Sequence, residues 1–182
     1  MPMIRSRLRP PRALSSASSR GVELLEFALV FPFLLILLVG IWDFGAAFAL
    51  KQKMTNAARE AARIVVSTSL SDASCTSATP CSIVAAANAA VQYLNDAGLN
   101  VSCVTPASPT SSSGLTWTYS CSNGTSLVIN RGYAVSGAGG SLVPSTQVVL
   151  TYPFEWWLAR FLPGYRTPAL VKTQVIMANL VD

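Results

Sequence analysis

The feature that most constrains this chain is an apolar run near its N-terminus. Residues 27–42 are sixteen positions without a charge, Asp43 interrupts the run, and residues 44–50 are again uncharged. An α-helix of about 20 apolar residues crosses the hydrocarbon core of a bilayer. We therefore predict one membrane-spanning segment over residues 27–50, with Asp43 near an interface. A buried helix of a soluble protein is the alternative.

The helical pattern continues beyond the apolar run. Residues 51–66 contain no glycine or proline and are rich in good helix formers. Small and apolar residues recur every four positions in two adjacent rows. One row is Ala57, Ala61 and Val65, and the next is Ala58, Ala62 and Val66. Small side chains on one face allow another helix or a sheet to approach closely. We predict a long helix over residues 22–67, with its lysines and arginines on a solvated or headgroup-facing surface.

The positive charge of the chain lies before this helix. The net charge is +5, and five arginines without any acid precede Gly21. The remaining chain is formally neutral, so no basic face exists for nucleic acid. Residues 1–21 therefore read as a basic leader, and we expect no nucleic-acid partner.

The composition also argues against catalysis. Histidine is absent, so neither a Ser-His-Asp triad nor a Cys/His zinc site can form. The glycine-rich stretch around Gly139 lacks the Gly-Lys-Ser/Thr ending of a phosphate-binding loop. We therefore expect that the protein is not an enzyme and that it binds neither a cofactor nor a metal ion.

The cysteines indicate the topology across the membrane. All four lie after the long helix, and none form a Cys-x-x-Cys pair: Cys75, Cys81, Cys103 and Cys121. An even number of cysteines in a small Ser/Thr-rich region is typical of disulfides in an oxidising compartment. We predict a cytoplasmic N-terminus and an extracytoplasmic head formed by residues 68–182.

The head has the pattern of an α+β domain with one helix and an antiparallel sheet. Residues 82–94 predict a helix, with Ser82 as a possible N-cap and Gly98 just past its end. Apolar and polar residues alternate over 115–121, which predicts a half-buried strand. Further strands are predicted at 101–105, 127–130, 147–154 and 170–180.

Two of these strands suggest a disulfide pairing. Antiparallel pairing of 101–105 with 115–121 can place Cys103 opposite Cys121, which leaves Cys75 to pair with Cys81. Four cysteines allow three pairings, and the other two remain open.

The aromatic segment 152–165 forms either a lid over the core or an exposed patch that docks on another subunit or on the membrane surface.

The start of the apolar helix has a specific pattern. Gly21, four further residues and then Glu26-Phe27 resemble the processing site of type IV prepilins, and most closely the Tad/Flp (type IVb) branch. The longer run 20–38, followed by Trp42-Asp-Phe-Gly45 and by residues 56–63, looks like the TadE-like pseudopilins. Residues 147–154 and 170–180 look like the end of TadE-type domains, whereas 68–145 are not diagnostic.

The resemblance implies a minor pilin or pseudopilin that takes part in assembly of a Tad-type pilus. A prepilin peptidase would cut between Gly21 and Val22 in the bacterial inner membrane. The implied partners are pilin and other pseudopilin subunits, the inner-membrane pilus assembly machinery and the lipid bilayer, with incorporation in an extracellular pilus as a further step. Glu26 and Phe27 would serve subunit assembly, with the Glu26 carboxylate pairing with the Val22 amine of a neighbouring subunit.

Three alternatives stay open. Glu26 can instead complement the N-terminus of its own helix. Ala47-Phe-Ala49 resembles a signal-peptidase site, and cleavage after Ala49 would release a secreted binding domain. An uncleaved, single-span protein with an adhesive or ligand-binding head, not incorporated in a pilus, is the third.

Overall fold

The computed structural model describes residues 17–68, 72–76, 79–161 and 168–179. The first sixteen residues of the expected leader lie outside these ranges, as do residues 162–165 of the aromatic segment and Leu180 at the end of the last expected strand. The chain divides into two compact units, Met1–Ile41 and Trp42–Asp182.

Helix α1 covers Ala17–Val66 and confirms the long helix expected from the sequence. Between residues 22 and 38 every side chain is exposed, although most of them are large and apolar. The helix continues through Pro32 without interruption. A proline removes one backbone N–H only, so the neighbouring hydrogen bonds can keep the turn helical.

Among the described residues, the second unit contains the second α-helix and all the strands. Its elements are β1 (Ser74–Thr76), β2 (Thr79–Pro80), α2 (Cys81–Asp96), β3 (Ser111–Ser113), β4 (Thr116–Ser120), β5 (Ser126–Ser136), β6 (Leu142–Phe154) and β7 (Ala169–Ala178). β1 and β2 form a small antiparallel pair. The other five form one antiparallel sheet in the order β3-β4-β5-β6-β7. The α+β class is confirmed.

The sheet buries one of its faces. Side chains alternate along each strand, so every second residue of β4, β5 and β6 faces the core. The buried members are Trp117 and Tyr119, Leu127 and Ile129, and Val148 and Leu150. They share one core cluster with alanines of α1 and α2. Alanine has almost no side chain beyond Cβ, which lets two helices lie close to the strands.

The expected strand at 101–105 is wrong. These residues form turns, and the Val104 N–H donates to the Val101 carbonyl oxygen at 2.9 Å. Both valines are buried, at 0% and 6% exposure, so the apolar pattern marked core contacts rather than a strand. Ser111–Ser113 occupies the position beside β4 instead.

The expected N-cap of α2 is also wrong. The capping position is Pro80, which makes no side-chain bond, and Ser82 lies inside the helix. The Asp72 carboxylate accepts the Ser82 backbone N–H at 2.7 Å and thereby satisfies a free donor of the first turn. Gly98, with φ of +81°, follows the C-terminus of the helix as expected.

The late strands are longer than the sequence pattern indicated. β5 extends to Ser136 through Gly132, and β6 begins already at Leu142, so only residues 137–141 connect the two.

Two disulfides join Cys75 to Cys81 and Cys103 to Cys121. The second bridge fastens the 101–110 loop to the end of β4 over a separation of 18 residues, worth about 3 kcal/mol in the chain-entropy model.

Candidate functional site

The expected processing site lies on an open helix surface. Gly21 and Val22 are both in α1, and the Val22 side chain is 57% exposed. A Cβ added to Gly21 would meet no heavy atom within 4 Å. The surroundings of Gly21 therefore make no steric demand for glycine at this position.

Glu26 and Phe27 follow one turn later on the same helix. Both side chains are exposed, and the Phe27 ring contacts Phe31 with the ring centroids 5.3 Å apart. The Glu26 carboxylate has no hydrogen bond or ion pair with any residue that the structure describes. A carboxylate at the head of an apolar helix is costly to place at a membrane edge without a cation.

Asp43 has a role that the sequence did not reveal. Its two carboxylate oxygens accept the backbone N–H groups of Trp157 and Leu158, each at 3.0 Å. The residue is only 4% exposed. The acid that interrupts the apolar run therefore fastens α1 to the turn at 158–161 within one chain. A hydrogen bond between groups 114 residues apart leaves no local signal.

Aromatic rings surround this contact. The Trp156 ring meets Phe44 edge-on with centroids 5.4 Å apart, and it meets Phe154 edge-on at 5.1 Å. Phe154 packs against the core, whereas Trp157 is 46% exposed. The described part of the aromatic segment thus covers the core at its beginning and faces outward at its end.

The segment 56–63 has one buried and one exposed face, as expected. Ala57, Ala58, Ala61 and Ala62 are all 0% exposed. Arg59 and Arg63 point outward, and Arg63 bonds to the Glu60 carboxylate at 2.6 Å. This hydrogen bond lowers the pKa of Glu60 below its ordinary value and raises that of Arg63.

A shallow open groove of about 520 Å³ runs along this charged face. It is lined by Asn56, Arg59, Glu60, Arg63, Tyr93 and Met177. The Asn56 amide donates to the Tyr93 hydroxyl at 3.3 Å. Across the described ranges, no three histidine, cysteine or acidic side chains come together as a possible metal site.

Arg131 is the centre of a buried polar network that the sequence reasoning missed. Its guanidinium donates to the Asp72 carboxylate at 2.8 Å, to the Ser82 hydroxyl at 3.0 Å and to the Thr68 carbonyl oxygen at 2.9 Å. The Arg131 side chain is 2% exposed. A signal existed, because Leu127, Ile129 and Arg131 follow the same two-residue period and share the inward face of β5.

The network also sets the ionisation of Asp72. Burial disfavours its charged form, but the hydrogen bonds from Ser82 and Arg131 and the arginine charge outweigh that effect. The pKa of Asp72 therefore lies below its ordinary value. The pair joins the end of α1, the start of α2 and β5, so it is a structural device of the head.

Comparison with known families gives one match. A family model described as TadE-like protein matches residues 21–63, about a quarter of the chain. No curated protein matches the chain. No solved structure matches it either. The matched range begins at the expected processing glycine and ends at Arg63 on the charged face, and the chain is thus similar to TadE-like proteins over residues 21–63.

Proposed function

We propose that the chain is a minor pilin or pseudopilin that takes part in assembly of a Tad-type pilus. In this proposal it is not an enzyme. A prepilin peptidase cleaves it after Gly21, and the helix that begins at Val22 anchors it in the inner membrane until it joins other subunits.

One observation carries this proposal. The TadE-like match starts at Gly21, with Glu26 five residues later at the head of a helix that is apolar on all sides. The helix has a mean hydropathy of 2.7 in its most apolar window, and none of that window is buried within the chain. A helix that is apolar all round needs lipid or other protein as its surroundings.

The state of Glu26 supports a role in assembly. Its carboxylate has no bonding partner among the described residues, and cleavage after Gly21 would create a cationic amine at Val22. We propose that this amine on a neighbouring subunit is the partner of Glu26. The carboxylate can then enter an apolar assembly as half of an ion pair rather than as an isolated charge.

The disulfides support the orientation of the head. Both bridges lie in residues 75–121, after the apolar segment. Because disulfides persist in oxidising compartments, we place the head outside the cytoplasm and the N-terminus inside.

Secretion by cleavage after Ala49 is the weaker candidate. Such a cut would remove Asp43, which accepts two backbone N–H groups of the head. Those two donors would then lose the carboxylate that binds them. The intact anchor, without any cleavage, keeps all contacts of the head.

The N-terminal residue of the protein extracted from membranes tests the proposal. Sequencing should give Val-Glu-Leu-Leu-Glu, the residues that follow Gly21. A start at Leu50 would show ordinary secretion, and an intact Met1 would show an uncleaved anchor. Either result contradicts the proposed processing.

A pair of glycine variants sharpens the test. Gly21→Leu should block cleavage and leave membrane insertion intact. Gly40→Leu is the matched control, since a Cβ at Gly40 also meets nothing within 4 Å. Equal processing of both variants would remove Gly21 as the determinant.

A further inference from the structure

A group of aromatic side chains lies where the head meets residues 42–44 of α1. We call it the aromatic collar, and it consists of Trp42, Phe44, Phe154, Trp156 and Trp157. Trp42 and Phe44 are 74% and 70% exposed, and Trp157 is 46% exposed. Such a group of outward-facing rings is large for a surface that faces only water.

Asp43 joins the collar residue Trp157 to α1 and is itself buried. Both carboxylate oxygens accept backbone N–H groups, from Trp157 and from Leu158, at 3.0 Å. With this acid 4% exposed, the rings around it present an apolar surface. Glu155 and Arg160 lie in the same segment and pair at 3.5 Å with both side chains well exposed.

The position of the collar along the chain matches a membrane interface. Glu26 and Asp43 enclose the uncharged residues 27–42. At about 1.5 Å per residue this stretch of helix measures about 24 Å, less than the hydrocarbon thickness of about 30 Å. Rings at its outer end would extend the apolar band to the required width.

The chemistry of the collar selects the same partner. Tryptophan is enriched at the membrane–water boundary because its ring is apolar and its N–H is polar. The exposed Glu155–Arg160 pair suits the headgroup region beside such rings. A protein partner would also accept the rings, but it would not explain why the collar adjoins the end of the apolar run.

We propose that the collar sits in the outer interface of the bilayer, so that the head rests on lipid through Trp156 and Trp157 as well as through α1. This inference rests on the proposed membrane anchoring. It places the outer end of the span at residues 42–44, shorter than the 27–50 expected from composition. Leu50 agrees with the shorter span, since it is 6% exposed and belongs to the core of the head.

Tryptophan quenching in proteoliposomes tests the inference on the full chain. The lipid is phosphatidylcholine brominated either near the headgroup or near the end of the acyl chain. Trp42→Phe leaves Trp117, Trp156 and Trp157, whereas the double variant Trp156→Phe with Trp157→Phe leaves Trp42 and Trp117. Trp117 is only 4% exposed within the head, so the triple variant that retains it alone gives the baseline.

Lipid brominated near the headgroup should quench the Trp156–Trp157 emission about twofold, with less quenching by lipid brominated near the chain end. Absence of quenching above the Trp117 baseline would overturn the inference, whatever else covers the collar. Quenching of Trp42 in the double variant distinguishes failure of the collar inference from failure of the proposed membrane anchor. If Trp42 is quenched and Trp156 and Trp157 are not, the anchor stands and the collar is wrong, and if Trp42 is not quenched either, the anchor also fails.

Asp43→Asn provides a second measurement. An asparagine keeps one acceptor oxygen and replaces the other with a donor, so one of the two backbone N–H groups loses its partner. Quenching of the Trp156–Trp157 pair should then fall, while quenching of Trp42 stays unchanged. Asp96→Asn, on the exposed end of α2, is the matched control and should change neither signal. Equal quenching in the Asp43 and Asp96 variants would show that Asp43 does not position the collar.

Discussion

Helix α1 contains two stretches with opposite surroundings. From residue 22 to 38 its large apolar side chains are exposed, with Leu24 and Phe33 both at 70%. From residue 54 to 66 its inward side is closed by the head, and Met54 is 0% exposed. Both stretches are helical, so helix propensity does not distinguish them.

The difference lies in the size and arrangement of the side chains. The second stretch has alanines on one face and charged residues on the other, which lets the sheet and α2 approach closely on one side. The first stretch has leucine and phenylalanine around the whole circumference. It therefore needs surroundings that the chain itself does not supply, whereas the second stretch is satisfied within the fold.

Glu26→Gln should have the largest effect on assembly and none on the fold of the head. If the carboxylate neutralises a neighbouring Val22 amine, its loss leaves a cation unpaired at the membrane edge, at a cost of a few kcal/mol. If it only complements its own helix, the cost is about 0.3–1 kcal/mol. We expect cleaved protein that stays in the membrane without forming pili, measured by pilus assembly and crosslinking to partner subunits.

Glu23→Gln is the control for this experiment, since Glu23 is an exposed acid one turn earlier on the same helix. It should assemble normally. Normal pili and unchanged crosslinks in the Glu26 variant would reject the proposed pairing.

Arg131→Met should have the largest effect on the head. It leaves Asp72 buried with a reduced set of donors, and removing one partner of a buried pair costs about 3–5 kcal/mol. The free energy of unfolding can be measured on the full chain in detergent, by guanidinium titration followed by near-ultraviolet circular dichroism. Arg59→Met removes an exposed arginine and should stay within about 0.5 kcal/mol of the parent. Equal stability of the two variants would show that the network contributes little.

Ala61→Leu and Ala28→Leu compare the two stretches of α1 directly. Both substitutions keep a strong helix former, so the intrinsic helix preference hardly changes. Ala61 is 0% exposed in the core, and overpacking there should cost about 1–3 kcal/mol of unfolding free energy. Ala28 is exposed, and the same change should be close to neutral in the same titration. A similar loss at both positions would mean that the first stretch is also packed against protein.

The smallest expected effect is the pH dependence due to Asp72. Its pKa is lowered in the folded state, so it contributes stability that is fully present above the unfolded value of about 3.9 and is lost as the pH falls through the lower folded value. The stability difference between the parent and Asp72→Asn should therefore shrink as the pH drops below about 4. Unfolding titrations at pH 6 and at more acidic pH measure it, with the exposed Asp96→Asn as the control. A difference that grows on acidification would reverse the assigned sign.

The sequence by itself determined the elements whose signals are local. Helix α1, helix α2 and the strands predicted at 115–121, 147–154 and 170–180 follow from patterns that neighbouring residues create. The spacing of Gly21 and Glu26 is likewise readable from the chain, because it belongs to one short contiguous segment. Residues close together in the sequence determine these features, so the sequence alone is enough to predict them.

Only the tertiary structure decided which distant groups meet. The same apolar alternation that identified β4 misled at 101–105, where Val101 and Val104 are buried in turns. Asp43 finds its donors 114 residues away, and Arg131 finds Asp72 at a separation of 59. A buried charge requires a partner, and the sequence can indicate that such a partner is needed. The packing of the helices and strands decides which of the eight acids or of the many backbone groups becomes that partner. The partner is selected by distance in space and not by distance along the chain.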